Sequence, residues 1–66
     1  MNITINGEGK HVRAALTIGE LLEELGHPPS GVAVAVNLEF VPRSAQGQTQ
    51  ISEGDDIEIV AARQGG

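Results

Sequence analysis

The sequence predicts an α+β roll, a mixed sheet of four to five short strands with one helix packed across one face. Three observations predict it. Two short strand-like runs joined by Asn6-Gly7 open the chain as a hairpin. Ile18, Leu21, Leu22 and Leu25 then stand at i, i+3, i+4 and i+7, the apolar stripe of a two-turn helix. Alternating apolar runs return at Val32-Ala33-Val34-Ala35-Val36 and Ile57-Glu58-Ile59, and the first and last strands can share one core only by closing on that helix.

The elements follow in order. Ile3-Thr4-Ile5 alternates with period two, and Asn-Gly is a strong hairpin turn. Lys10 to Ala14 is the expected return strand, with Val12 on the side of Ile3 and Ile5. Thr17-Ile18-Gly19-Glu20 has the Thr-x-x-Glu form of a capping box, with Leu16 and Leu21 placed as the hydrophobic staple. Glu20, Glu23 and Glu24 take the solvent side. Gly26 is the expected left-handed stop, and Pro28-Pro29 forbids continuation. In the next strand the valines should face the helix, leaving Ala33 and Ala35 as a smooth opposite face. Asn37-Leu38 occupies a two-residue turn, although leucine suits a positive φ poorly. Glu39-Phe40-Val41 returns as a short edge strand ended by Pro42. From Arg43 to Gln50 the chain is polar and irregular, with room for a single helical turn. Ile51 is expected to drop into the core, and Glu53-Gly54-Asp55-Asp56 to turn the chain into its last strand. This succession matches the ubiquitin-like β-grasp arrangement.

Sixty-six residues make one domain near the lower size limit, burying only about 60% of its unfolded surface. Without cysteine there is no disulfide, thiolate metal site or thiol nucleophile, a composition that fits the cytoplasm. Nine acidic residues against four basic ones give a formal charge of −5, and Phe40 is the only aromatic. Nucleic acid selects basic patches and stacking platforms, so it is not an expected partner. No leader and no apolar run of membrane-spanning length is read in the sequence.

The large apolar side chains stop after Val60. Gly65 and Gly66 have nothing to bury, and ordering a residue costs roughly 1.5 kcal/mol. The expectation is a folded domain over 1–61 and a flexible tail over 62–66, leading to a free carboxylate.

These residues resemble the ThiS family, the sulfur carrier proteins of thiamin biosynthesis, over essentially the whole chain. The resemblance rests on Met1-Asn2-Ile3 leading into Asn6-Gly7-Glu8, and on Thr17-Ile18 opening the helix Glu20-Leu21-Leu22-Glu23-Glu24-Leu25. Its most distinctive part is Val32-Ala33-Val34-Ala35-Val36-Asn37 followed by Val41-Pro42-Arg43-Ser44. Glu53-Gly54-Asp55-Asp56-Ile57-Glu58-Ile59-Val60 and the closing Gly65-Gly66 complete it. The chain departs from the pattern at Leu38, where family members often have Gly.

What the resemblance implies is a carrier cycle without catalysis by the carrier. An E1-like activating enzyme, using ATP and Mg²⁺, adenylates the Gly66 carboxylate. Sulfur from a donor persulfide enzyme replaces AMP to leave a thiocarboxylate, and the carrier delivers it to thiazole synthase. No cofactor is expected to stay bound. By position, Gly65, Gln64 and Arg63 are expected to be recognised in the tail. Phe40, Ala33, Ala35 and Val60 are expected to form a docking face for a partner protein. Three other readings compete: a molybdopterin synthase small subunit, a modifier linked to lysine amines, and a β-grasp binding module with an inert terminus.

Other candidates carry less chemistry. Asn6-Gly7-Glu8-Gly9 has no phosphate-loop spacing and reads as a turn. His11 and His27 are far apart and lack clustered ligands, so both are expected on a solvated surface. Glu53, Asp55 and Asp56 do not have the spacing of a calcium loop.

Overall fold

The computed structural model of the chain describes residues 1–27 and 31–61. Asn6 and Gly7 take φ of 51° and 86°, the positive angles a type I′ turn requires. A two-residue turn lets pairing resume at once, so β1 (Asn2–Ile5) and β2 (Glu8–His11) pair antiparallel with Ile5 opposite Glu8. This corrects the expected return strand over Lys10 to Ala14. Glu8 and Gly9 are paired rather than looped, and β2 ends at His11. Val12, just beyond it, is buried as expected.

Helix α1 (Ile18–Glu24) begins where the sequence places it. Thr17 accepts from the Glu20 amide at 3.1 Å, and Glu20 Oε1 accepts from the Thr17 amide at 2.9 Å, closing the capping box. At the other end Gly26 has φ 81°. Its amide donates to the Glu23 carbonyl, and the His27 amide donates to the Leu22 carbonyl at 2.9 Å. That bond pair is a Schellman stop, which satisfies two carbonyls the last turn leaves free. The expected stop at Pro28-Pro29 lies outside the described residues.

Strand β3 (Val32–Val36) pairs antiparallel with β4 (Glu39–Val41) and with β5 (Asp56–Ala61). Strand β1 runs parallel to β5, giving the sheet order β2-β1-β5-β3-β4. The sheet therefore has five strands, with β5 at its centre and β4 at an edge. Pro42 ends β4, and a single turn of helix, α2 (Arg43–Gln46), follows. The segment after α2 is tied back to the start of α1. The Ile18 amide donates to the Thr49 carbonyl at 2.9 Å and the Ile51 amide to the Leu16 carbonyl at 2.8 Å.

One face of the sheet meets the helix. Ile3, Val34, Ile57 and Ile59 supply the sheet side of the core, while Ile18, Leu21 and Leu22 supply the helix side. Leu16, Val12 and Ile51 seal the edges, so Ile51 is in the core as expected. Leu16, Ile18, Leu21 and Ile57 have no exposed surface, and each contributes about 1.5–3 kcal/mol by leaving water. This is the ubiquitin-like β-grasp fold.

Candidate functional site

Strand β5 is the structural axis of the candidate site, because residues 62–66 follow directly from it. The expected flexibility of that tail, and the positions of Arg63, Gln64, Gly65 and Gly66, lie outside the described residues.

On the sheet face away from α1, the sequence-predicted docking residues come together. Residues directly opposite in an antiparallel pair share a face. Phe40 stands opposite Ala35, and Ala33 stands opposite Val60. Phe40 is 68% exposed and Val60 64%, although side chains of this kind normally seek burial. Phe40 thus lies outside the core. The valines alternate with these alanines: Val34 is buried and Val32 and Val36 pack against the core. Glu58, also opposite Ala35, is exposed, whereas Glu39 stands opposite Val36 and so belongs to the helix side of the sheet. An apolar strip with one acidic neighbour thus runs across β4, β3 and β5 toward the end that leads into the tail.

The strip is larger than the sequence reading made it. Leu38 is 84% exposed and occupies the β3–β4 turn, two residues before Phe40. Its φ is 71° and that of Asn37 is 52°, so this turn repeats the angles of Asn6-Gly7 with leucine in the glycine position. The signal was present as an apolar residue in a turn that favours glycine.

Both turn asparagines are fastened to the central strand. Asn6 accepts from the Ile59 amide at 2.8 Å and donates to the Ile59 carbonyl at 3.2 Å, so its side chain continues the β1–β5 ladder where the backbone has turned away. Asn37 accepts from the Asp56 amide and donates to Asp55 Oδ1, both at 3.0 Å. Its own amide donates to the Asp56 carbonyl at 2.8 Å.

The remaining candidates are occupied locally. Asp55 also accepts from the Ser52 amide at 2.8 Å, Asp56 from the Thr4 hydroxyl at 2.7 Å, and Glu53 from the Asn2 amide at 3.0 Å. Asp55 thus caps its own turn, while Glu53 and Asp56 tie that turn to β1. His11 lies on the surface within 3.0 Å of Asn2 Oδ1, and His27 is half-buried. Among the described residues no three metal-ligating side chains gather. Glu24 pairs with Arg13 at 2.9 Å on the solvent side of the helix. A cleft of about 400 Å³ between α1 and α2 is lined by Glu20, Glu23, His27 and Arg43, among others, on the opposite side of the molecule from the strip. The backbone amide of Thr17, donating to Glu20, holds that carboxyl below the usual carboxylate range, a helix-capping effect.

Comparison with known proteins covers the whole of this architecture. Residues 3–66 match the model of the ThiS family. The sulfur carrier protein ThiS of Escherichia coli is 35% identical over 66 residues, the full length of both chains. A thiazole synthase of Paramagnetospirillum magneticum is 46% identical over all 66 residues, which make up 20% of its own length. The chain thus spans about a fifth of that synthase and all of the E. coli carrier. The crystal structure of the thiamine biosynthesis protein ThiS from Geobacter metallireducens superposes with a TM-score of 0.85 at 33% identity, covering 100% of both chains. With its fold, its capped helix and its closing residues all inside the matched span, the chain belongs to the ThiS family of sulfur carrier proteins.

Proposed function

We infer that this chain carries sulfur for thiazole formation in thiamin biosynthesis, and that Gly66 is the residue that bears it. The observation that carries this reading is the full-length match to a ThiS sulfur carrier, which includes Gly65 and Gly66. A terminal carboxyl has a pKa of roughly 3.5, so at neutral pH it is an anion that resists nucleophiles. Activation is therefore unavoidable. On an E1-like enzyme the Gly66 carboxylate attacks the α-phosphate of ATP, and Mg²⁺-bound pyrophosphate leaves. The terminal sulfur of a donor persulfide then adds to the acyl carbon, and AMP departs. A thiol reductant cleaves the resulting S–S bond and leaves the thiocarboxylate for thiazole synthase. The occurrence of a similar segment inside thiazole synthases supports that enzyme as the acceptor.

In this role the chain is a cosubstrate, and its own side chains perform no step. Its contribution is shape: two residues without side chains pass through a narrow channel and accept backbone angles closed to others. The strip of Phe40, Ala33, Ala35 and Val60 gives the enzymes a surface to hold while the tail reaches the reacting groups.

Gly65→Val tests the reading. The variant should melt like the parent yet support no ATP–pyrophosphate exchange with the activating enzyme. Exchange at the parental rate would contradict the narrow-channel argument and the role given to the tail.

A further inference from the structure

The two hairpin turns of this molecule form a comparison that isolates Leu38. Both are two-residue turns that open with asparagine at φ near 50°, and both asparagines are fastened to β5. In the first, the second residue is Gly7 at φ 86°, where a glycine adopts positive angles freely. In the second it is Leu38 at φ 71°, a conformation rarely open to a bulky side chain. Leu38 is at the same time the most exposed of the large apolar residues, at 84%. Neither its backbone angle nor its side chain gains anything in the free protein. Strain of this kind persists only where the surroundings over-determine it, as the three hydrogen bonds of Asn37 do here.

We propose that Leu38 is a docking anchor for thiazole synthase, held out by a rigid turn to enter an apolar pocket on the synthase surface. The proposal rests on the carrier reading above. Leu38 continues the strip of Phe40, Ala35, Ala33 and Val60, so one partner surface can cover both. Glu58 stands exposed in the Phe40–Ala35 row, which calls for a Lys or Arg on the facing surface. The turn lies at the end of β3 opposite Val32, whose partner Ala61 leads into the tail. A hold at Leu38 therefore fixes the far end of the sheet and leaves the tail end unobstructed. The synthase is the occupant chosen because two thiazole synthases include a segment similar to this chain, at 46% and 40% identity, within one polypeptide. A turn whose backbone is already fixed has little backbone freedom left to lose on binding, which favours its use as an interface anchor.

The test measures melting and affinity together, for the full chain against the thiazole synthase of the same organism. Leu38→Gly and Leu38→Asn should both melt at or above the parent temperature, because each accepts the left-handed angle more readily. Both should bind the synthase roughly tenfold or more weakly, the effect expected on losing an interface anchor. Leu38→Met, which keeps an apolar side chain, should bind within about threefold of the parent. Parental affinity in Leu38→Gly would overturn the proposal. So would a parent chain that acquires sulfur but does not bind the synthase, an outcome that leaves the carrier reading standing. A parent that neither acquires sulfur nor binds would remove both.

Discussion

At the scale of single residues, asparagine does more in this molecule than shape turns. Asn6 and Asn37 were legible as turn residues, but their grip on β5 was not, because it joins positions 53 and 19 residues apart in the chain. Asn6→Ala should lower stability by about 1–3 kcal/mol. It removes both side-chain bonds to Ile59 and places alanine at a positive φ. Equilibrium urea unfolding reads this directly; an unchanged midpoint would show that solvent replaces both bonds at no cost. Leu38 was legible as a misfit in its turn. Its near-complete exposure became evident only with the fold, since sequence alone does not say which turns are covered.

At the scale of elements, the helix was the most legible part because its signals are local. Cap, staple, stripe and glycine stop all lie within eleven residues of one another, and each acts through bonds of short span. Strand β2 was misplaced for a related reason. Glu8-Gly9-Lys10-His11 has almost no strand character of its own, and only the tightness of the Asn6-Gly7 turn obliges it to pair with β1. Thr17→Ala tests the helix start. It should cost about 1 kcal/mol at neutral pH. Part of the capping box also depends on charge. Glu20 has its pKa lowered in the fold, first of all by the Thr17 amide, so its contribution is full above the unfolded carboxylate range and fades as pH falls through the folded value. Thermal melts of parent and Glu20→Gln should therefore converge as the solution is acidified. A gap that stays constant into acid would separate the stability of the box from the charge of Glu20.

At the scale of the whole molecule, the roll was legible because so small a chain has one way to close its apolar surfaces. A single helix with one stripe must lie on a sheet, and the last strand must join the first beneath it. Strand order and the central place of β5 follow from that closure. The apolar strip on the other face is the part that folding leaves unexplained, and the partner docking proposed above accounts for it. Ile57 and Ile59 hold β5 in the core, while Glu58 and Val60, on the same strand, face outward on the other side of the sheet. The strand that anchors the domain is thus also the one that leads toward Gly66, the residue proposed above to bear the sulfur.

The most direct test of that account is the intact mass of the protein after incubation with its activating enzyme, ATP, Mg²⁺ and a persulfide donor. The predicted result is a gain equal to exchanging one oxygen for one sulfur, abolished when Gly65 and Gly66 are removed. No gain, with an enzyme shown to thiolate another carrier, would contradict the assignment of Gly66 as the sulfur-bearing residue.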